Sequence, residues 1–221
     1  MGTPIRHSFD EQLSLLQQDV VRMGSLAAQA VQLAIRALTE HSPDLADQVM
    51  EIENSIDALN LDIESRAIQL LALQQPMARD LRTIAAVLRI ITDIERIGDY
   101  AVDTARQARL LADQPLMKPL VDIPRMGDLV QTMLHDTLRA FVSRDLDLAY
   151  KAVKQDDEVD HRYHALHDEL ADFIRRDPSV TDQAISLLLV GVYLERMADH
   201  VTNIGERIWF METGELKELH E

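Results

Sequence analysis

The sequence predicts an all-α chain built as a tandem repeat of two three-helix bundles with six long helices, and three observations predict it. Aromatic residues make up only 4% of the chain and glycines number seven, while Leu, Ala, Gln, Glu, Asp and Arg dominate, a mix that favours helices over strands. Seven prolines fall as punctuation between long stretches of 3.6-residue periodicity, and an interior proline removes a helix hydrogen bond and clashes with the preceding turn. Short sequence patterns also recur about one hundred positions apart.

Taken in order, the helices are expected over 8–41, 44–74, 77–113, 126–144, 147–176 and 179–213. Ser8 with Glu11 has the form of a capping box that starts the first helix. Ser42-Pro43 and Asp177-Pro178 each place a cap residue before a proline at the first helical position, and Pro76 precedes the third helix. Pro115, Pro119 and Pro124 crowd into one linker, 114–125, which separates a first repeat over 1–113 from a second over 126–221; residues 1–7 read as a disordered lead. Ile35-Arg36-Ala37-Leu38 followed by Asp44-Leu45-Ala46 parallels Leu138-Arg139-Ala140-Phe141 followed by Asp147-Leu148-Ala149 at an offset of 103. Near the end of each half, Glu95-Arg96-x-x-Asp99 matches Glu195-Arg196-x-x-Asp199 at an offset of 100. A single six-helix bundle with one continuous core fits the same pattern.

Charge and composition then narrow the function classes. The 221 residues carry 22 Lys plus Arg against 38 Asp plus Glu, a formal charge of −16, which disfavours nucleic acid or an anionic lipid surface as the main partner. No cysteine is present, so disulfides, thiolate zinc sites, iron–sulfur clusters and cysteine nucleophiles are excluded. The N-terminal MGTPIRHSFDEQ lacks a secretory pattern, and the apolar run Leu187 to Leu194 is far short of the roughly 20 residues that span a bilayer. A soluble, cytoplasmic protein is expected.

The repeated acids are the informative feature. At about 100° per residue, Glu95 and Asp99 lie one turn apart on one face, continuing a stripe of Leu81, Ile84, Leu88, Ile91, Gly98 and Val102. Glu195 and Asp199 likewise continue Ala184, Leu188, Gly191 and Val192. The middle helix of each half offers a matching pair: Glu53 and Asp57 align with Ala46, Val49 and Ile56, and Asp156 and Asp160 with Ala149 and Val153. Four carboxylates converging from two helices repel one another, which raises their pKa values or demands a cation held by oxygen ligands. A structural reading stands beside this one, in which Arg96 and Arg196 are internal counter-ions. Asp103, Asn203, Asn60, Glu64 and Glu206 extend the stripes as weaker candidates.

His161, His164 and His167 spread over a wide arc of the fifth helix and read as a solvated triplet, with His167 the one nearest the Asp156 and Asp160 stripe. Glu158 with His161 is a Glu-x-x-His pair, but Ser55 stands at its counterpart, whereas a di-iron bundle needs that motif twice. No phosphate-binding glycine loop, nucleophile elbow or His-Glu-x-x-His motif occurs, so an enzyme is not expected. Interior Gly24, Gly98, Gly191 and Gly205 read as points of close helix approach or as room for a bound ion. Trp209 and the methionines read as core filling.

The stretch QQPMARDLRTIAAVLRIITDIERIGDYAVD from Gln74 to Asp103, with MLHDTLRAF, DLDLAYKAV, DDEVD and YLERMADHVTNIGER, resembles the PhoU family over essentially the whole chain. That resemblance implies two homologous three-helix bundles, a homodimer, and no catalysis. It implies negative regulation of the Pho regulon when phosphate is plentiful, by coupling a phosphate ABC transporter to a membrane sensor histidine kinase, with the membrane reached only through those partners. Some members of the family hold iron or other metals on Glu/Asp-x-x-x-Asp motifs. The matching positions here are Glu95 with Asp99 and Glu195 with Asp199, completed by Glu53 with Asp57 and Asp156 with Asp160; iron, zinc or another divalent cation is the expected metal. Asn203 in place of Asp103 and His200 in place of Tyr100 make the two sites unequal. A carboxylate-bridged metal oxidase or storage bundle, and a regulator of another transporter, are the alternative readings.

Overall fold

The computed structural model describes residues 4–74 and 76–219. Seven α-helices follow in order: α1 (Pro4–Thr39), α2 (Pro43–Gln74), α3 (Ala78–Leu111), α4 (Asp122–Ser143), α5 (Leu146–Val153), α6 (Asp156–Arg176) and α7 (Thr181–Thr213). A 3-10 turn, Pro178–Val180, precedes α7. Six of these helices are long, and the described residues include no strand.

The repeated motif at Ile35 and Leu138 encodes a complete helix-to-helix turn. His41 and Arg144 both take left-handed backbone, at φ 51° and 59°. The next amide reaches back over the helix end in each case, Ser42 N–H to the Ala37 carbonyl at 3.0 Å and Asp145 N–H to the Ala140 carbonyl at 3.2 Å. The same residue then caps the following helix: Ser42 Oγ accepts from Leu45 N–H at 3.4 Å and Asp145 Oδ1 from Leu148 N–H at 3.0 Å.

Several boundaries differ from the sequence reading. Helix α1 starts at Pro4, so Ser8 and Glu11 lie inside it and do not form a capping box; proline at a first helical position begins the helix instead. The expected helix 147–176 is interrupted at Lys154 and Gln155, where bonds tighten to Gln155 N–H with the Ala152 carbonyl and Glu158 N–H with the Gln155 carbonyl. Asp156, Asp157 and Glu158 then fill the first turn of α6, where negative charge favours a new start. The irregular linker is shorter than 114–125, because Pro124 is the third residue of α4, a position that needs no N–H. Gln183 fixes this linker by accepting from Met117 N–H and donating to the Pro115 carbonyl at 3.0 Å, and Lys118 pairs with Glu169 of α6.

Burial follows the 3.6-residue period. Leu16, Val20, Met23, Ala27, Ala30 and Ala34 line the inner face of α1, and Ile84, Val87, Ile90, Ile91, Ile94 and Ile97 that of α3. The long helices α3 and α7 pack along each other at the centre, with α1 and α2 on α3, and α4, α5 and α6 on α7. Buried apolar side chains of both halves form one continuous cluster. Helices α1 and α4 also meet directly. A Cβ placed on Gly24 would lie 2.6 Å from Leu138, and one on Gly127 would lie 1.7 Å from Ile35. Both glycines, and both side chains that fill them, are 103 positions apart, so this contact is reciprocal.

Candidate functional site

In the first half the four predicted acids come within electrostatic reach of one another across α2 and α3. Ile56, buried between Glu53 and Asp57, packs against Gly98, where a Cβ would stand 3.1 Å from it. That close approach brings the two helices' acidic turns together. Burial, then the charge and hydrogen bond of Asp57, then Asp99 and Glu95, push the Glu53 carboxyl above its ordinary range. Glu95 is raised by burial and by Asp99, with Arg96 opposing, Asp57 adding to the rise, and His200 of α7 opposing it. A cavity of about 360 Å³ opens beside them, lined by Glu53, Arg96, Asp99, Tyr100, Asp103 and Arg106.

The second half repeats the motif with different neighbours. Burial and Asp199 raise the Glu195 carboxyl, Arg196 opposes, Asp160 adds to the rise and His164 opposes it. Asp156 is 7% exposed at the start of α6. His164, held by an Nδ1–H bond to the Asp160 carbonyl at 2.7 Å, is thus the histidine that reaches this site, whereas His167 turns to Asp168 at 3.2 Å. All three histidines of the triplet are exposed. Glu158 pairs with Arg162 at 2.6 Å, so the lone Glu-x-x-His pair does not face inward together.

Arginine answers the acids in both halves. Arg96 Nη1 donates to Asp99 at 2.9 Å with its Nε 3.8 Å from Glu95. Arg196 repeats this at 3.4 Å to Asp199 and 3.5 Å to Glu195. Asp103 is taken by Arg106 at 2.7 Å. The oxygen-rich donor set suits a hard cation. Among the described residues, however, no three His, Asp or Glu side chains gather closely enough to hold a metal ion. Leu81, expected on the packing stripe, is instead 47% exposed.

Sequence reasoning missed the centre of the α3–α7 contact. Asp93 Oδ1 lies 2.9 Å from His200 Nδ1 and accepts from Asn203 Nδ2 at 3.3 Å. Its counterpart at an offset of 100, Tyr193, stacks instead on Tyr100 with ring centroids 5.9 Å apart. The changes at His200 and Asn203 therefore serve a contact between the halves. The available signal was Asp93 itself, an acid set among Ile90, Ile91, Ile94 and Ile97. Gly127 was the other omission, legible as the 103-offset partner of Gly24.

Comparisons with known proteins agree with this geometry. The PhoU domain pattern matches twice, over residues 20–108 and 123–208. The phosphate-specific transport system accessory protein PhoU homolog of Clostridium acetobutylicum is 36% identical over 98% of this chain and 99% of its own. That of Caulobacter vibrioides is 40% identical over 94% and 91%. The crystal structure of PhoU from Pseudomonas aeruginosa superposes with a TM-score of 0.90 at 32% identity, covering 94% of this chain and all of that one. The phosphate transport system regulatory protein PhoU from Streptococcus pneumoniae superposes at 0.85 with 29% identity, covering 95% and 99%. With both repeats matched in sequence and the whole helical arrangement matched in space, the chain belongs to the PhoU family.

Proposed function

We propose that this chain is a noncatalytic regulator of phosphate uptake and phosphate-starvation signalling. In this reading it links a phosphate ABC transporter to a sensor histidine kinase and restrains the starvation response while phosphate is plentiful. The observation that carries the proposal is the double PhoU-domain match together with full-length relatives named as phosphate transport system accessory proteins. No helix among the described residues is long and apolar enough to cross a membrane, in keeping with contact to membrane partners from a cytoplasmic position. A homodimer is part of the proposal. Deleting the gene is expected to raise a phosphate-starvation reporter in high phosphate, and restoring it in trans to lower the reporter again; an unchanged reporter overturns the role.

A second reading, cation binding, is favoured by the neighbouring carboxylate charges that add to burial in raising Glu53, Glu95 and Glu195. Glu53, Asp57, Glu95 and Asp99 would hold an iron, zinc or other divalent ion in the first half, and Asp156, Asp160, Glu195 and Asp199 in the second. The ion would supply charge neutralisation and order. Because Arg96 and Arg196 already pair with these acids, and no three carboxylates among the described residues gather around one point, the arginines must turn outward and the carboxylates converge to admit an ion. Elemental analysis of protein purified without affinity-tag metal, followed by calorimetric titration, tests it. Absence of binding by the full chain, or binding unchanged by Glu95→Ala with Asp99→Ala and Glu195→Ala with Asp199→Ala, leaves the acids as arginine-paired stripes.

A further inference from the structure

At the C-terminal end of α7 two arginines from different helices meet the Glu212 carboxylate, and a third reaches the neighbouring backbone. Arg144, the left-handed cap of α4, donates Nη1 to Glu212 Oε1 at 2.5 Å. Arg79, in the first turn of α3, donates Nη2 to Glu212 Oε2 at 3.4 Å. One turn on, Arg82 donates Nε to the Met211 carbonyl at 3.3 Å and lies alongside Gly214. We propose that Arg79, Arg82 and Arg144 form a cradle for inorganic phosphate, with the Glu212 carboxylate as its resting occupant.

Each oxygen of the Glu212 carboxylate is already gripped by a guanidinium from a different helix, which is how arginines hold an oxyanion. Planar guanidinium forks match carboxylate and phosphate oxygens alike. Phosphate brings more oxygens and up to two negative charges at neutral pH, so it can replace one carboxylate and also engage Arg82. Arg79, Arg82 and Arg144 gather around the end of α7 on a chain of net charge −16. Glycine occupies left-handed backbone more cheaply than arginine does. From that backbone position the Arg144 side chain reaches Glu212; its counterpart His41 shares the conformation.

Glu212 makes the cradle competitive. Phosphate binds as the carboxylate swings out of the last turn of α7, altering how α7 is fastened to α3 and α4. This inference rests on the proposed role in phosphate regulation and gives that role a place where phosphate itself is read.

The test is isothermal titration of the full chain with orthophosphate, against sulfate and chloride at matched ionic strength, with emission of Trp209, the sole tryptophan, as a second readout. Saturable orthophosphate binding at about 1 mM or tighter, stronger than sulfate, is expected. Arg79→Gln with Arg82→Gln should weaken it about tenfold or more, and Glu212→Gln should tighten it several-fold. Circular dichroism checks that the variants fold, and Arg79→Gln alone serves where the double variant does not, since that side chain is 62% exposed. Absence of saturable binding up to about 10 mM in both the native chain and Glu212→Gln overturns the cradle. So does binding that ignores the arginine variants. A chain that fails here yet still restrains the starvation reporter loses the cradle alone, and the regulatory role stands.

Discussion

The two halves of the molecule meet along two seams, and the seams are built differently. Where α1 crosses α4, Leu138 fills the space over Gly24 and Ile35 fills the space over Gly127, the same contact made twice. Where α3 runs along α7, Asp93 takes His200 and Asn203 on one side, while its counterpart Tyr193 stacks on Tyr100 on the other. Backbone approach at the first seam leaves no volume for a side chain, so the fit is held at both copies. The second seam has room and partial solvent access, and a hydrogen-bonded cluster and an aromatic pair fill equivalent spaces there. Symmetry thus survives where close packing constrains both sides and is lost where several side chains fit.

The largest expected effect breaks the reciprocal seam. Gly127→Val should cost about 3 kcal/mol in urea-induced unfolding, because Ile35 already occupies the place of a Cβ. Combining it with Ile35→Ala should recover part of that loss, and Gly24→Val with Leu138→Ala should behave alike. Neutral single variants would show that the seam tolerates volume and that its symmetry has another cause.

At the divergent seam, Asp93→Ala leaves His200 and Asn203 without their shared acceptor and should cost about 1–2 kcal/mol. Tyr193→Ala removes an aromatic contact and should cost a similar amount through lost packing. The two losses should differ in salt dependence, with only the Asp93 variant changing its cost as salt rises.

A smaller effect separates the two acidic stripes. A carboxyl raised in the folded state binds more protons there than in the unfolded chain just above its ordinary value of 4.5, so its contribution to stability falls as pH rises through that window. Glu53→Gln with Glu95→Gln should therefore stabilise the protein near pH 7 by about 0.5–1 kcal/mol, reduced by solvent screening, with the gain fading toward pH 4. Glu195→Gln should give the smaller gain of the same sign. Thermal melts across pH check both, and a gain that grows on acidification would contradict the upward direction given to these carboxyls by burial and neighbouring charge.

Much of this could be read along one dimension. Helical class, the recurrence of residues 35–46 at 138–149, and the placement of Glu95 with Asp99 and Glu195 with Asp199 on single faces all follow from local sequence. A residue's face is fixed within its own helix by the period of about 3.6. Break points between helices were harder, because the change from α5 to α6 depends on the balance between continuing one helix and starting another at Asp156. Which side chains meet across helices depends on crossing angle and register, which no single helix contains. Tertiary structure alone decided that Asp93 takes His200, that His164 rather than His167 approaches Glu195, that Gly127 receives Ile35, and that Arg79 and Arg144 close on Glu212. It also decided that Glu53, Glu95 and Glu195 feel neighbouring carboxylates without any three of the described acids gathering into a metal's ligand shell, because the distance between side chains on two helices is set by how those helices pack.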